Sequence, residues 1–462
     1  MIKEINIENF RSIKSSKIKF TPFSVIVGAN ASGKSNLIKA IEFLANSTYY
    51  DIKETIEESG GFEEMLPKQI KRINKEKVKF SIEYSVNPPK EWKTYELPDL
   101  NTKYEFEIQV KNNIEFKITK EELTIENPLL YSHFQYRFQR SKKTEIDINN
   151  LKQFVNSQIV FKRNRNNDIK VETNFELDEN TLIDYANWID LSNMFSKVSK
   201  NGLNKKELDS SLEFLINGMP PKVNKKTTLI LSRRRFIHNF SRHFALINFG
   251  LGSCGKYDLL LSELRKEQSI MRGRTVTSSG DNLPSILQSL QSKENEASLF
   301  RIEETMSYIS PYFVSAKSKK LRAGKEYLAF QEIFEGKEVP SWDASDGTLR
   351  ALAILISLET HGDHSTIMIE EPEHGLHPWA IKHIVNHIRD VVKRKNLQVI
   401  ITTHSRQILD NIAEDELIIS NRNIEGTRFS SISEVIPNKE VKMTDIGDLW
   451  VSGLLSGVPK SE

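Results

Sequence analysis

Gly28-Ala29-Asn30-Ala31-Ser32-Gly33-Lys34-Ser35 fits G-x-x-x-x-G-K-S without a gap. Small residues and glycines let backbone N–H groups wrap phosphates, and a helix start adds its partial positive charge. Lys34 is placed to reach the outer phosphates, and the Ser35 hydroxyl to sit on magnesium. The flanks agree with this reading. Residues 23–27 form a compact apolar strand that runs into Gly28. In 36–44, Leu37, Ile38, Ile41 and Leu44 share one helical face, with Phe43 beside it. Strand, glycine loop and helix together predict ATP and Mg2+ as ligands, with Asn30, Gly33, Lys34 and Ser35 as cofactor-binding residues.

The same logic extends to the other end of the chain. Thr366-Ile367-Met368-Ile369-Glu370-Glu371-Pro372-Glu373 reads as a buried strand that ends in acids. Such a strand delivers its carboxylates to the mouth of a parallel sheet, where ligands bind. Glu370 is expected to help hold magnesium, and Glu371 to polarise the attacking water. A second apolar strand over 397–401 leads into Thr402-Thr403-His404-Ser405, which puts His404 in reach of a terminal phosphate. His374 and His377 lie near these acids and are read as structural, because the acids already have a magnesium role.

Around these motifs the pattern changes by region. Ile5, Ile7 and Phe10 suggest a short strand paired with Ile18 and Phe20. Segments at 78–84, 104–110 and 114–118 read as an antiparallel meander, continued in style over 133–180. From 181 to about 313 the pattern is mostly helical. Helices at 348–359 and 379–392 then alternate with the strands at 366–369 and 397–401, which is α/β. The expected division is 1–180 and 331–462 as two parts of one ATPase head, with a helical insert over 181–330. No long heptad run appears, so no coiled-coil arm is expected.

Composition narrows the classes further. Hydrophobic residues make up 38% and charged residues 27%, with 65 basic and 62 acidic residues for a net charge of +3. This is an ordinary globular balance. Cys254 is the single cysteine, so neither an internal disulfide nor a cysteine zinc cluster is possible. Met1-Ile2-Lys3-Glu4 opens without a signal-peptide core, and no apolar run is long enough to span a bilayer. A cytoplasmic protein without a membrane partner is expected.

Taken together the motifs resemble the ABC-type ATPase heads of the SMC, RecF and OLD-like group, and more narrowly the stand-alone AAA15-type ATPases. The residues that carry this are Ile7-Glu8-Asn9-Phe10-Arg11-Ser12, the loop 28–35, Glu370 to Glu373 followed by Leu376-His377-Pro378, His404, and Gly447-Asp448-Leu449-Trp450 through Gly457-Val458-Pro459. The resemblance implies an α/β P-loop NTPase fold of ABC/SMC-head type, with an antiparallel β subdomain and an inserted, mostly helical domain. It also places a signature motif at Ser345-Asp346-Gly347-Thr348, a departure from the full transporter form, where Ser345 and Gly347 would touch ATP held by an opposing head. Head-to-head dimers or larger assemblies follow from that. Too few residues follow His404 for the TOPRIM domain of OLD-type nucleases, so nuclease action is expected from a partner. The glutamine loop stays open among Gln135, Gln139, Gln153 and Gln158.

The middle of the chain carries one further signal. Residues 215–257 contain no acid, yet hold Lys222, Lys225, Lys226, Arg233, Arg234, Arg235, Arg242 and Lys256, with Phe236, Phe240 and Phe244 among them. Such a patch suits nucleic-acid phosphates and stacked bases. It equally suits a protein partner, and the phenylalanines at helical spacing equally suit a packed face. The expected function is an ATP-hydrolysing switch or sensor, set by resemblance in bacterial antiviral defence with a separate toxin or nuclease effector. The alternatives are a RecF-like DNA repair ATPase and an ATP-bound scaffold with little turnover.

Overall fold

A computed structural model describes residues 1–48, 50–67, 77–86, 98–111, 115–127, 156–164, 167–174, 206, 254–334, 338–436 and 446–455. In chain order the elements are β1 (Ile2–Phe10), β2 (Ile13–Lys19), β3 (Phe23–Val27), α1 (Lys34–Ser47), α2 (Ile52–Glu58), α3 (Gly61–Met65), β4 (Lys77–Val86), β5 (Leu100–Lys111), β6 (Glu115–Glu126), β7 (Gln158–Arg163) and β8 (Ile169–Thr173). Then come β9 (Cys254–Tyr257), α4 (Leu261–Leu264), β10 (Gln268–Ser269), α5 (Leu283–Leu290), α6 (Glu296–Ile309), β11 (Phe313–Lys320), β12 (Lys325–Glu332), β13 (Val339–Pro340) and α7 (Asp346–Thr360). The last are β14 (Thr366–Glu370), α8 (Pro378–Lys395), β15 (Gln398–Thr403), α9 (Arg406–Leu409), β16 (Leu417–Asn423), β17 (Gly426–Ser430), α10 (Ile432–Val435) and α11 (Ile446–Val451). They form two compact units, one of residues 1–19 and 39–253, the other of residues 20–38 and 254–462.

Alternation builds the first unit. In β1 the residues Ile2, Ile5, Ile7 and Phe10 are buried, and Ile5 stands opposite Ile18 of β2. Its antiparallel strands run in the order β8-β7-β6-β5-β4-β1-β2. Phe80 centres an aromatic cluster with Phe10, Phe43 and Phe106, at ring distances of 5.3, 5.2 and 5.4 Å. Such tilted or offset pairs add to the burial itself. Glu121, fully buried, is neutralised by Arg163 at 2.5 Å and accepts from the Tyr104 hydroxyl at 2.6 Å. A buried charge without both would be costly. Arg11 donates through its backbone N–H to Met65 O and through Nη2 to Ser59 O, which ties the β1–β2 turn to α2 and α3. The meander expected from sequence is present, with longer strands.

The second unit is where the period changes. Its strand order β17-β16-β3-β15-β14-β9 is parallel from β16 to β9, with β17 antiparallel to β16. β3 and β15 are buried at every position, as strands covered on both faces must be. α5, α6, α7 and α8 supply the rest of the core through Leu287, Met306, Ile354 and Ile384. β10, β12, β11 and β13 make a small separate sheet in the same unit. This is a mixed α/β P-loop NTPase fold, as the sequence indicates.

The expected helical insert falls only in part within the described residues. Within 181–330, the described stretch 254–330 holds helices α4, α5 and α6 with strands β9, β10, β11 and β12 beside them. The strands escaped notice because β9 is a four-residue piece with Gly255 and Lys256, and β11 alternates with lysines and serines. The three-part division at 180 and 330 remains a proposal. Among the described residues, no helix is long and apolar enough to cross a membrane.

Candidate functional site: a phosphate loop with two strand-end carboxylates

All of the site described below belongs to the second unit. β3 ends at Val27, and the loop turns with Ala31 at φ 62° and Gly33 at φ 110° before α1 begins at Lys34. Only glycine tolerates the second angle well. A Cβ at Gly33 would also meet the Thr427 side chain, at 2.5 Å from its Cγ2. Thr427 Oγ1 and Ser420 Oγ, from the β16–β17 hairpin, both donate to Ser32 O, at 2.9 and 3.2 Å. Arg422 Nη1 donates to Ala31 O at 3.3 Å. The loop is therefore braced from behind by a hairpin far away in sequence.

Lys34 is 7% exposed, and its Nζ donates to Gly28 O at 2.6 Å and Ala29 O at 3.2 Å. Burial holds its ammonium below the usual lysine range, against the charges of Glu371, Glu373 and Glu370, which pull the other way. A desolvated ammonium whose hydrogen bonds go to neutral loop carbonyls favours an anion beside it. Asn30 and Ser35 are exposed, as groups that contact a ligand must be.

Ser35 Oγ donates to Glu370 Oε2 at 2.7 Å. A hydroxyl and a carboxylate side by side at the end of a phosphate loop are the hard oxygen donors that Mg2+ prefers, so the residues fit this ion. Glu370 also carries an ion pair from its Oε1 to Lys256 Nζ on β9, at 3.3 Å. Lys256 was counted in the acid-free basic stretch; the structure puts it against the acidic strand end instead. No sequence signal marks it, because β9 is a four-residue strand that includes a glycine and a lysine.

Glu371 leaves the strand with φ 47°. This left-handed conformation costs a non-glycine residue roughly 1–2 kcal/mol. Its N–H still donates to Thr402 O at 2.9 Å, so the ladder holds while the side chain turns out. Glu371 Oε1 lies 3.3 Å from His404 Nδ1, and Oε2 lies 3.1 Å from His374 Nε2. Glu373 is buried and accepts from Thr403 Oγ1 at 2.6 Å and from His404 N at 3.2 Å. His377 caps α8, accepting from Trp379 N at 3.3 Å, in line with its structural reading. His374 faces the Glu371 carboxylate instead.

Ser345 caps α7, its Oγ accepting from Thr348 N at 3.1 Å. A Cβ at Gly347 would stand 2.6 Å from the Gly375 carbonyl oxygen, so the start of α7 packs on the turn that follows Glu371. Arg350, from α7, donates to Glu371 O at 3.4 Å. The structure thus brings together Lys34, Ser35, Glu370, Glu371 and His404, and joins Ser345 and Gly347 to the turn beyond Glu371. Lys222, Lys225, Lys226, Arg233, Arg234, Arg235 and Arg242 lie outside the described residues.

Comparison with known proteins supplies the family. The chain is 26% identical over 115 residues to an energy-coupling factor transporter ATP-binding protein, EcfA2, of Clostridioides difficile (strain 630), which is 25% of this chain and 38% of that protein. It is 36% identical over 58 residues to an ATP/GTP phosphatase of Helicobacter pylori (strain ATCC 700392 / 26695), or 12% of this chain and 16% of that one. The chain thus spans less than half the length of either relative. Among solved structures, an SMC head domain from Thermotoga maritima aligns at TM-score 0.38 and 10% identity, over 93% of this chain and 98% of that one. An Smc head domain with an extended coiled coil, bound to the C-terminal domain of ScpA derived from Pyrococcus furiosus, aligns at TM-score 0.41 and 12% identity, over 94% and 98%. Over residues 23–410, which run from β3 through the phosphate loop to just past α9, the chain belongs to the family described as "AAA domain, putative AbiEii toxin, Type IV TA system".

Proposed function

We propose that the chain is an ATP-hydrolysing switch of the ABC/SMC-head type, close to the stand-alone AAA15, OLD-like and RecF-like ATPases. The observation that carries this is the Ser35–Glu370 contact, with the Glu371–His404 pair on the next residue and the next strand. Bound Mg·ATP supplies the reactive phosphoanhydride; the chain positions and polarises. Asn30, Gly33, Lys34 and Ser35 hold the phosphates, and Ser35 and Glu370 hold magnesium. Glu371 accepts a proton from the attacking water, and His404 orients Glu371 while facing the terminal phosphate. The buried Glu373 steadies the His404 backbone.

Ser345 and Gly347 contact ATP held by a second copy, so closure of two heads follows ATP binding and opening follows hydrolysis. The family description points to a toxin–antitoxin or defence setting, in which a separate effector responds to that motion. The basic segment with Lys222, Lys225, Lys226, Arg233, Arg234, Arg235 and Arg242 serves as the contact for DNA or for that partner.

Two variants test the chemistry. Lys34→Ala is expected to lose ATP binding, read by titration with labelled nucleotide; equal affinity for variant and parent would sink the assignment. Glu371→Gln keeps the binding groups and removes the base. It is expected to retain ATP, lose turnover, and form a larger, persistent assembly by light scattering with ATP and magnesium. Normal turnover in Glu371→Gln would move the base elsewhere, with Glu370 next.

A further inference from the structure

Three donor groups apart from the Ser35–Glu370 oxygens converge at the end of β14. Glu371 presents one carboxylate oxygen to each of two imidazoles, His374 Nε2 at 3.1 Å and His404 Nδ1 at 3.3 Å. One ligand atom from each of the three residues falls within 4.8 Å of the others. The two rings stand edge to face, 5.7 Å between centroids. A single histidine beside a glutamate is an ordinary ion pair. Two histidines from different segments, each on its own oxygen of the same carboxylate, make a half-open cage.

The cage is rigid where it needs to be. His374 N–H donates to Glu371 O at 3.2 Å, and Glu371 N–H donates to Thr402 O at 2.9 Å, so the turn and the β15 end are tied together. His404 N–H donates to the Glu373 carboxylate. The three side chains are 27% (Glu371), 54% (His374) and 44% (His404) exposed, so an ion reaches them from solution. Beneath them Glu373 is 7% exposed; its Oε1 lies 3.9 Å from His404 Nδ1, and its Oε2 has no hydrogen-bond partner among the described residues. Glu373 thus holds the His404 backbone in place and adds a second negative charge behind the cage. Imidazole nitrogens favour zinc and its neighbours, whereas Mg2+ takes oxygens. The donor set here is two nitrogens and one carboxylate, with room for water.

We propose that Glu371, His374 and His404 bind a dication of the zinc class, through donors different from those of the magnesium site, and that this ion withdraws Glu371 and His404 from ATP hydrolysis. The inhibitory half rests on the roles given to Glu371 and His404 above; the binding half does not.

The test uses the full chain and zinc alone, titrated in competition with a chromophoric chelator. The parent is expected to take up one zinc ion per chain more than His374→Ala, or to hold it at least about tenfold more tightly. His374→Gln serves as a second variant of similar polarity if the alanine variant does not fold. In excess magnesium, one equivalent of zinc is expected to suppress ATP turnover of the parent and to leave that of the His374 variant in place. Equal zinc uptake by parent and both variants overturns the site, whatever the turnover. Unequal uptake without inhibition overturns the regulatory half. If neither protein hydrolyses ATP while the uptake still differs, the hydrolysis reading fails and the metal site stands.

Discussion

Thr427 shows how a phosphate loop depends on a residue that no loop motif contains. Its hydroxyl donates to Ser32 O at 2.9 Å, and its side chain fills the space that a Cβ at Gly33 would need. Thr427→Val preserves volume and leaves a carbonyl short of one donor, a change worth about 1 kcal/mol. Nucleotide affinity is expected to weaken by up to about fivefold if that bond orders the loop for binding. A fluorescent-nucleotide titration checks this, and unchanged affinity would show that Ser420 alone suffices. The residues that could be read from sequence were those whose chemistry is packed into a short window. Gly28 to Ser35 and Glu370-Glu371 announce themselves because adjacent residues must act on one ligand. Thr427, Ser420 and Lys256 could not be read that way, because each reaches the site across a fold that brings distant strands together.

At the scale of elements, α7 and the turn after β14 act as one piece. Ser345 caps the helix, Gly347 lies under the Gly375 carbonyl, and Arg350 reaches Glu371 O. Gly347→Ala forces a methyl into that contact and is expected to destabilise the chain by about 1–3 kcal/mol, as overpacking does. Urea unfolding without nucleotide reads this packing effect in the single chain; a midpoint like that of the parent would mean that Gly347 matters only to a second copy. Several elements were visible in the sequence: α1 as a broad apolar face, α7 and α8 as helices, and β3, β14 and β15 as largely apolar strands. β9 was not, since a strand of four residues with a glycine and a lysine has no period to show. Its parallel pairing with β14 makes it a strand. The Gly255 position is also tight, because a Cβ there would stand 2.9 Å from His361 Cε1.

At the scale of the whole molecule, one buried carboxylate ties three helices of the second unit. Glu359 of α7, its side chain fully buried, pairs with Arg301 of α6 at 3.1 Å and Arg394 of α8 at 2.6 Å, with His387 Nε2 at 3.4 Å. Burial alone would raise its pKa; the nearby His387 ring, the Arg301 hydrogen bonds and the Arg394 charge overcome that and hold it at about 2. The folded value lies below the unfolded one, so the stabilisation is present above the unfolded pKa and is lost as pH falls through the folded one. It amounts to about 3 kcal/mol at neutral pH and about 1 kcal/mol by pH 3. Glu359→Gln is therefore expected to lose stability at pH 7, with the gap to the parent closing between about pH 4.5 and 2. Urea denaturation of both proteins across that range checks it; a gap that stays constant would mean the cost is packing and not charge. None of this cluster was foreseen, because its members are spread over α6, α7 and α8 and none of them sits in a motif.

β3 pairs with β15 and β16 and is buried throughout. During synthesis at 5–20 residues per second, roughly 20–75 s pass between the emergence of β3 and that of β15. For that interval the strand lacks both of the neighbours it has in the fold. A product that stops short of β14 carries the whole phosphate-loop sequence but lacks Glu370 and both neighbours of β3. The proposed nucleotide site is therefore complete only after β14, β15 and β16 have been made, and a truncated chain is expected not to bind nucleotide.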